Sequence, residues 1–116
     1  MNVNDLILRA TQAANTAGDE WMKNAKVRFA VMDGEQVVGQ LLDVCGNAHV
    51  RFTDKRTKEY KAFKNAGHTS ITNVLYIPHK YKHRQEYGLH MACIEAAIKV
   101  LREEGVTKLR VWSYID

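Results

Sequence analysis

The residues Gln85-Glu86-Tyr87-Gly88-Leu89-His90 stand directly before a long apolar-periodic stretch, and their types suit the holding of a phosphate. A glycine-containing turn that opens a helix presents backbone N–H groups without intrahelical partners, together with the positive end of the helix dipole. A second set of residues suits an anion as well. From Arg51 to Arg84, nine Lys and Arg face only Asp54 and Glu59. Besides Arg51 these are Lys55, Arg56, Lys58, Lys61, Lys64, Lys80, Lys82 and Arg84, a candidate nucleic-acid or anion-binding region. Tyr60 and Phe63 lie among these charges. Basic residues interleaved with rings bind single strands when the rings stack on bases. The same spacing describes a short amphipathic helix that keeps its rings inside.

Other reactive side chains carry weaker patterns. His68, His79, His83 and His90 are of a metal-ligating type, but no cysteine or carboxylate has matching spacing and lysines surround His79 and His83, so no metal site is expected. Cys45 and Cys93 show neither a CxxC pair nor the density of a disulfide scaffold, and buried reduced thiols are expected. Cys93 falls on the apolar side of its helix, where a thiol without an electropositive neighbour is inert. Trp112 and Tyr114 are expected to serve core or edge packing.

The elements that must position these residues follow from periodicity. Asn4 is placed to cap a helix bearing Leu6, Ile7, Ala10, Ala13, Ala14 and Ala17, with Gly18 ending it and Asp19 capping a second, short helix. Val27–Met32 alternates, Asp33-Gly34 is a hairpin signal, and a return strand runs from Gln36 to Val44, with Gly39 a candidate bulge. Ala48–Phe52 continues the pattern as a third strand of an antiparallel meander. Ser70–Ile77 reads as a buried strand stopped by Pro78. The helix from Gly88 carries Leu89, Cys93, Ala96, Ala97 and Val100 on one stripe and Met91, Ile94, Ile98 and Leu101 on the next, so only the side that holds Glu95, Lys99 and Arg102 is polar; Gly105 closes it. Thr107–Trp112 is the strand that follows. Strand, helix and strand in that order describe a β-α-β unit whose two strands lie parallel and adjacent.

With 116 residues, 46% of them hydrophobic, the chain is expected to form one domain, residues 1–116, with a core that needs no disulfide or metal. A net charge of +4 does not by itself point to nucleic acid. No apolar run reaches the length of a membrane span, and the start MNVND lacks the pattern of a signal peptide, so no membrane partner and a cytoplasmic location are expected.

The run NVLYIPHKY followed by QEYGLHMACIEAAIKVLREEGVTKLRVW resembles the central motif of the GCN5-related N-acetyltransferases, a strand, a Q/R-x-x-G-x-G/A turn, a helix and a further strand. The hairpin VRFAVMDGEQVVGQLL is similar to the strands that precede that motif. The resemblance implies an α/β (α+β) fold with N-terminal helices, an antiparallel meander and a β-α-β core containing two parallel strands. It implies acyl transfer from acetyl-CoA or another acyl-CoA to a small-molecule or protein amine. The cofactor would lie on Tyr76, Ile77, Gln85, Glu86, Tyr87, Gly88, Leu89 and His90, the turn holding the pyrophosphate and the strand holding the pantetheine arm. His90 stands where the family has Gly or Ala, and the connection from Pro78 to Gly88 is longer than the family's. Asp116 follows directly on the strand after the helix, so the domain is expected to be a shortened form whose exposed sheet edge invites a homodimer. No catalytic acid or base is assigned. The alternative expectation is an inactive scaffold of the same topology, binding a protein or nucleic acid through the basic region.

Overall fold

A computed structural model describes residues 2–26, 29–34, 36–41, 43–70 and 72–116, the side chains of 29–33 and 36–41 excepted. Among the described residues the fold is mixed α and β, with three helices, a three-stranded antiparallel sheet and a separate two-stranded hairpin. No helix is long and apolar enough to cross a membrane among these residues.

Helix α1 runs from Val3 to Asn24 without a break. Its N-cap is Asn2, whose side chain accepts from the Asp5 N–H at 3.0 Å. Asn4, expected as the cap, instead meets the His68 ring at 2.6 Å. The expected end at Gly18, and with it the second short helix, is corrected. Leu6, Ile7, Ala10, Ala14 and Gly18 form one buried stripe, and a Cβ at Gly18 would stand 2.8 Å from Cys93 Sγ and still closer to the Tyr81 ring. The glycine is there for close approach, and the helix passes through it. Small residues on this stripe let α1 pack along α3, the most extensive contact between elements.

Strands β1 (Phe29–Asp33) and β2 (Gln36–Leu41) pair antiparallel across Gly34, whose φ of +65° suits the hairpin turn read from Asp33-Gly34. The register slips between Val31 and Met32, so Val38 is the extra residue of a bulge beside Gly39. Val27, Arg28 and Leu42, which the sequence also assigned to these strands, lie outside the described residues. The meander itself is corrected. β3 (Gly46–Phe52) leaves the hairpin and becomes the centre of the other sheet, because β4 (Val74–Leu75) and β5 (Leu109–Ile115) take its two edges.

The same arrangement corrects the adjacent parallel pair. β4 and β5 run in one direction, but β3 lies between them and every neighbouring pair is antiparallel. The strand expected over Ser70–Ile77 shrinks to two residues, Ile71 lying outside the described residues. Ser70 Oγ accepts from the N–H groups of Thr72 and Val74, and Asn73 adopts φ +58°, so this stretch turns before it extends. Helix α2 (Lys58–Asn65) is capped by Thr57 and places Tyr60 and Phe63 in the core against Phe52, with ring centroids 5.2 and 5.7 Å away.

Helix α3 spans Tyr87–Glu103. It ends as read: Gly105 has φ +94°, its N–H reaches Arg102 O, and the Val106 N–H reaches Leu101 O, the paired bonds of a Schellman cap. Leu89, Cys93, Ile94, Ala97, Ile98 and Leu101 are buried between α1 and the inward residues Ala48, Val50 and Phe52 of β3. Each fully buried leucine or phenylalanine here contributes about 1.5–3 kcal/mol.

Candidate functional site

The N-terminus of α3 is already filled by the protein's own acceptors. Gly88 donates its N–H to Asp43 Oδ2 at 2.7 Å, and Tyr87 donates to Val44 O at 2.9 Å. Asp43 is buried, so a carboxylate sits where a phosphate was expected and complements the dipole end. Gly88 is the second residue of α3, within the first turn of the helix that the sequence started at this glycine. Its missing Cβ makes room for Asp43 Oδ2 and the Trp21 indole, which a Cβ would meet at 2.6 and 3.0 Å.

The other residues assigned to the cofactor do not converge on one slot. Gln85 is exposed, and its carbonyl accepts from the Gly46 N–H at 2.9 Å. Glu86 is buried and paired with Arg84, 2.5 Å to Nη2 and 3.0 Å to Nε. Burial pushes its carboxyl up, but the Arg84 hydrogen bonds and charge prevail and hold it below the usual carboxylate range. Tyr87 shares a hydroxyl hydrogen bond with Ser113 at 3.0 Å. Leu89 and Ile77 belong to the core, and Tyr76 is 55% exposed.

His90 is buried with its Nε2 2.6 Å from Arg84 O. A carbonyl only accepts, so this nitrogen carries the proton. His79 lies edge-on to it with ring centroids 5.9 Å apart, and the Nδ1 atoms of both rings are buried without a hydrogen-bond partner. Burial, then the His90 and Lys82 charges, push His79 down to about 4, so it is neutral at pH 7. His68 is far from this pair, against Asn4 and Phe63. No group of three or more His, Cys, Asp or Glu stands ready for a metal among the described residues. Cys93 is buried, and burial together with the Asp19 charge pushes its thiol up to about 11, which leaves it protonated and inert. Cys45 is only half-buried, which corrects the expectation for that thiol.

The basic region does not fold into one patch. Lys58, at the start of α2, lines a hollow with Asn2, Arg9 and Glu104, near the C-terminus of α3. Lys55 and Lys64 line another with Tyr60 and Ser70, and Lys61 is exposed on α2. Lys80 and Arg84 instead belong to the N-terminal side of α3: Lys80 pairs with Asp19 of α1 at 2.5 Å, Arg84 pairs with Glu86, and Lys82 is exposed between them. Arg56 pairs with Asp54. Arg56, Lys80 and Arg84 are each paired with a carboxylate, and the region as a whole is divided between the two ends of α3.

A different surface brings cations and rings together. Side chains of β3 alternate, with Gly46, Ala48, Val50 and Phe52 buried against the helices, so Asn47, His49 and Arg51 face outward. The register sets Tyr114, Trp112 and Arg110 of β5 opposite these three. Arg51 lies over the Trp112 ring at 4.5 Å, His49 stacks on it at 4.7 Å, and Tyr114 stands 5.2 Å from it. Burial and then the Arg51 charge push His49 below its ordinary value. Trp112 and Tyr114 thus lie on an edge strand, on the side of the sheet turned away from the helices, and Tyr114 is 43% exposed. The signal was present as a period of two in Lys108, Arg110, Trp112 and Tyr114, alternating with Leu109, Val111 and Ser113.

A hollow of about 610 Å³ also opens beside the α3 N-terminus, lined by Ala17, Glu20, Trp21, Asn24, Asp43 and Ala92 among others. Comparison with protein-family models, with curated proteins and with solved structures finds no match.

Proposed function

We propose that this chain is a non-catalytic binding module for nucleic acid, and that the outward face of the β4-β3-β5 sheet is its binding surface. The observation that carries this reading is the placement of Arg51 directly opposite Arg110. Like charges at facing positions destabilise a sheet, and none of the paired positions on this face supplies a carboxylate to relieve them. A polyanion relieves them. Affinity for a nucleic acid should fall linearly on a log-log plot as salt rises, and replacing Arg110 with Gln should reduce the slope by about 0.7 for a single strand or 0.9 for a duplex. Retention on a polyanion column that ignores salt, or no retention, would sink the proposal.

The acyltransferase implied by the resemblance is the competing proposal, favoured by the hollow beside α3. There a pyrophosphate would have to displace the Asp43 carboxylate from the Gly88 N–H. Titration with millimolar acetyl-CoA of the natural chain and of the Arg110→Gln variant separates the two readings, since binding at the hollow beside α3 is indifferent to that change and binding at the sheet face is weakened by it.

A further inference from the structure

We infer that the outward sheet face takes single strands in particular, with bases stacked on its rings and phosphates held by its arginines; this rests on the nucleic-acid reading above and narrows it. The rings on this face are fixed by strand geometry. Trp112 lies on the edge strand β5, held in place by Arg51 on its face and by His49 across the strand pair. Tyr114 lies two residues along β5. Tyr76 follows β4, and since Leu75 points into the core, alternation turns Tyr76 outward. Continuing the β3–β4 register sets it beside His49, roughly 10 Å, or two strand spacings, from the line of Trp112.

Exposed rings on a sheet cost solvation unless something covers them, and this set is too sparse and too interrupted by Arg51, His49 and Asn47 for a dry protein interface. It suits unpaired bases, which present π-faces to aromatic rings and to guanidinium planes alike. A duplex hides those faces in its own stack. Cation and ring are also already combined in the Arg51–Trp112 pair, so one nucleotide can be met by stacking and by charge at once. The rings of the basic helix cannot play this part, because Tyr60 and Phe63 are buried.

The test measures binding of the full chain to labelled oligodeoxythymidylate and oligouridylate of about 12 nucleotides, to a duplex of that length and to heparin. The expected result is that either single strand binds at least about tenfold more tightly than the duplex. Trp112→Ala should weaken single-strand binding about tenfold and leave heparin unchanged. If that variant is misfolded by circular dichroism, Tyr114→Ala and Tyr76→Ala supply the same measurement at rings whose removal leaves no cavity. A preference between the two strands, which differ in the 2′-hydroxyl and in the thymine methyl, is read as direct contact with the nucleotides and supports the inference. Equal affinity for duplex and single strand, with no effect of the ring variants, overturns it while leaving charge-driven binding intact. Absence of binding to every polyanion overturns the nucleic-acid reading as well.

Discussion

His79 gives the sharpest expectation for a single residue. It is 3% exposed, its Nδ1 lacks a partner, and burial lowers its affinity for a proton until the folded value is about 4. An unfolded chain protonates the same ring near 6.5. Above that pH neither state holds the proton and the residue has no effect on stability. As pH falls from 6.5 towards 4 the unfolded state binds more protons, so folding stability declines, by about 3 kcal/mol once both values are passed. His79→Gln should flatten this part of the pH dependence in denaturant melts between pH 7 and 4. An unchanged slope in the variant would show that another group carries the acid sensitivity. At this scale little was legible in advance: histidines can be counted in a sequence, but their burial depends on a loop folding over a helix.

Among the elements, α1 shows how a glycine is misread. Gly18 between an alanine-rich stripe and Asp19 has the local marks of a helix stop, and locally that reading is sound. It fails because the residue's purpose is set by α3, whose Cys93 lies far along the chain, and by Tyr81, whose hydroxyl donates to Asp19. In an open helix Gly→Ala stabilises by up to about 1 kcal/mol. Here the added Cβ collides with a buried sulfur and a tethered ring, and overpacking of this kind costs about 1–3 kcal/mol. Gly18→Ala should therefore lower the melting temperature; a rise would show that α1 and α3 are packed more loosely than described. The Asp33-Gly34 turn, the start of α3 near Gly88 and its Gly105 cap were readable, since the residues that decide them are neighbours in sequence. The bond from Gly88 to Asp43 was not, because it links residues 45 positions apart.

For the whole molecule, sequence periodicity identified most strands but could not order them. Two strands flanking a helix favour a parallel neighbour pair when nothing else intervenes. Here β3 intervenes, and its inward Ala48, Val50 and Phe52 suit the centre of the sheet as well as any edge. Placing β3 there also leaves β1 and β2 as a sheet of their own. The radius of gyration is 16.0 Å, against about 13 Å for a compact domain of this length. The longest extent, 56 Å, is more than twice the next, 26 Å. Small-angle scattering should return the larger radius, and a value near the compact one would place the hairpin against the sheet.

The double pairing of β3 also determines the order in which the backbone opens. Its amides are locked by β4 on one side and by β5 on the other, under a core shared with α3. Deuterium should enter Val50 and Arg51 last, at the rate of complete unfolding, while β1 and β2, which among the described residues pair only with each other, exchange through local fraying. The strand that carries Arg51 and His49 to the surface is thus expected to open last among the described strands, so that a nucleic acid on this face would meet a surface that is already rigid.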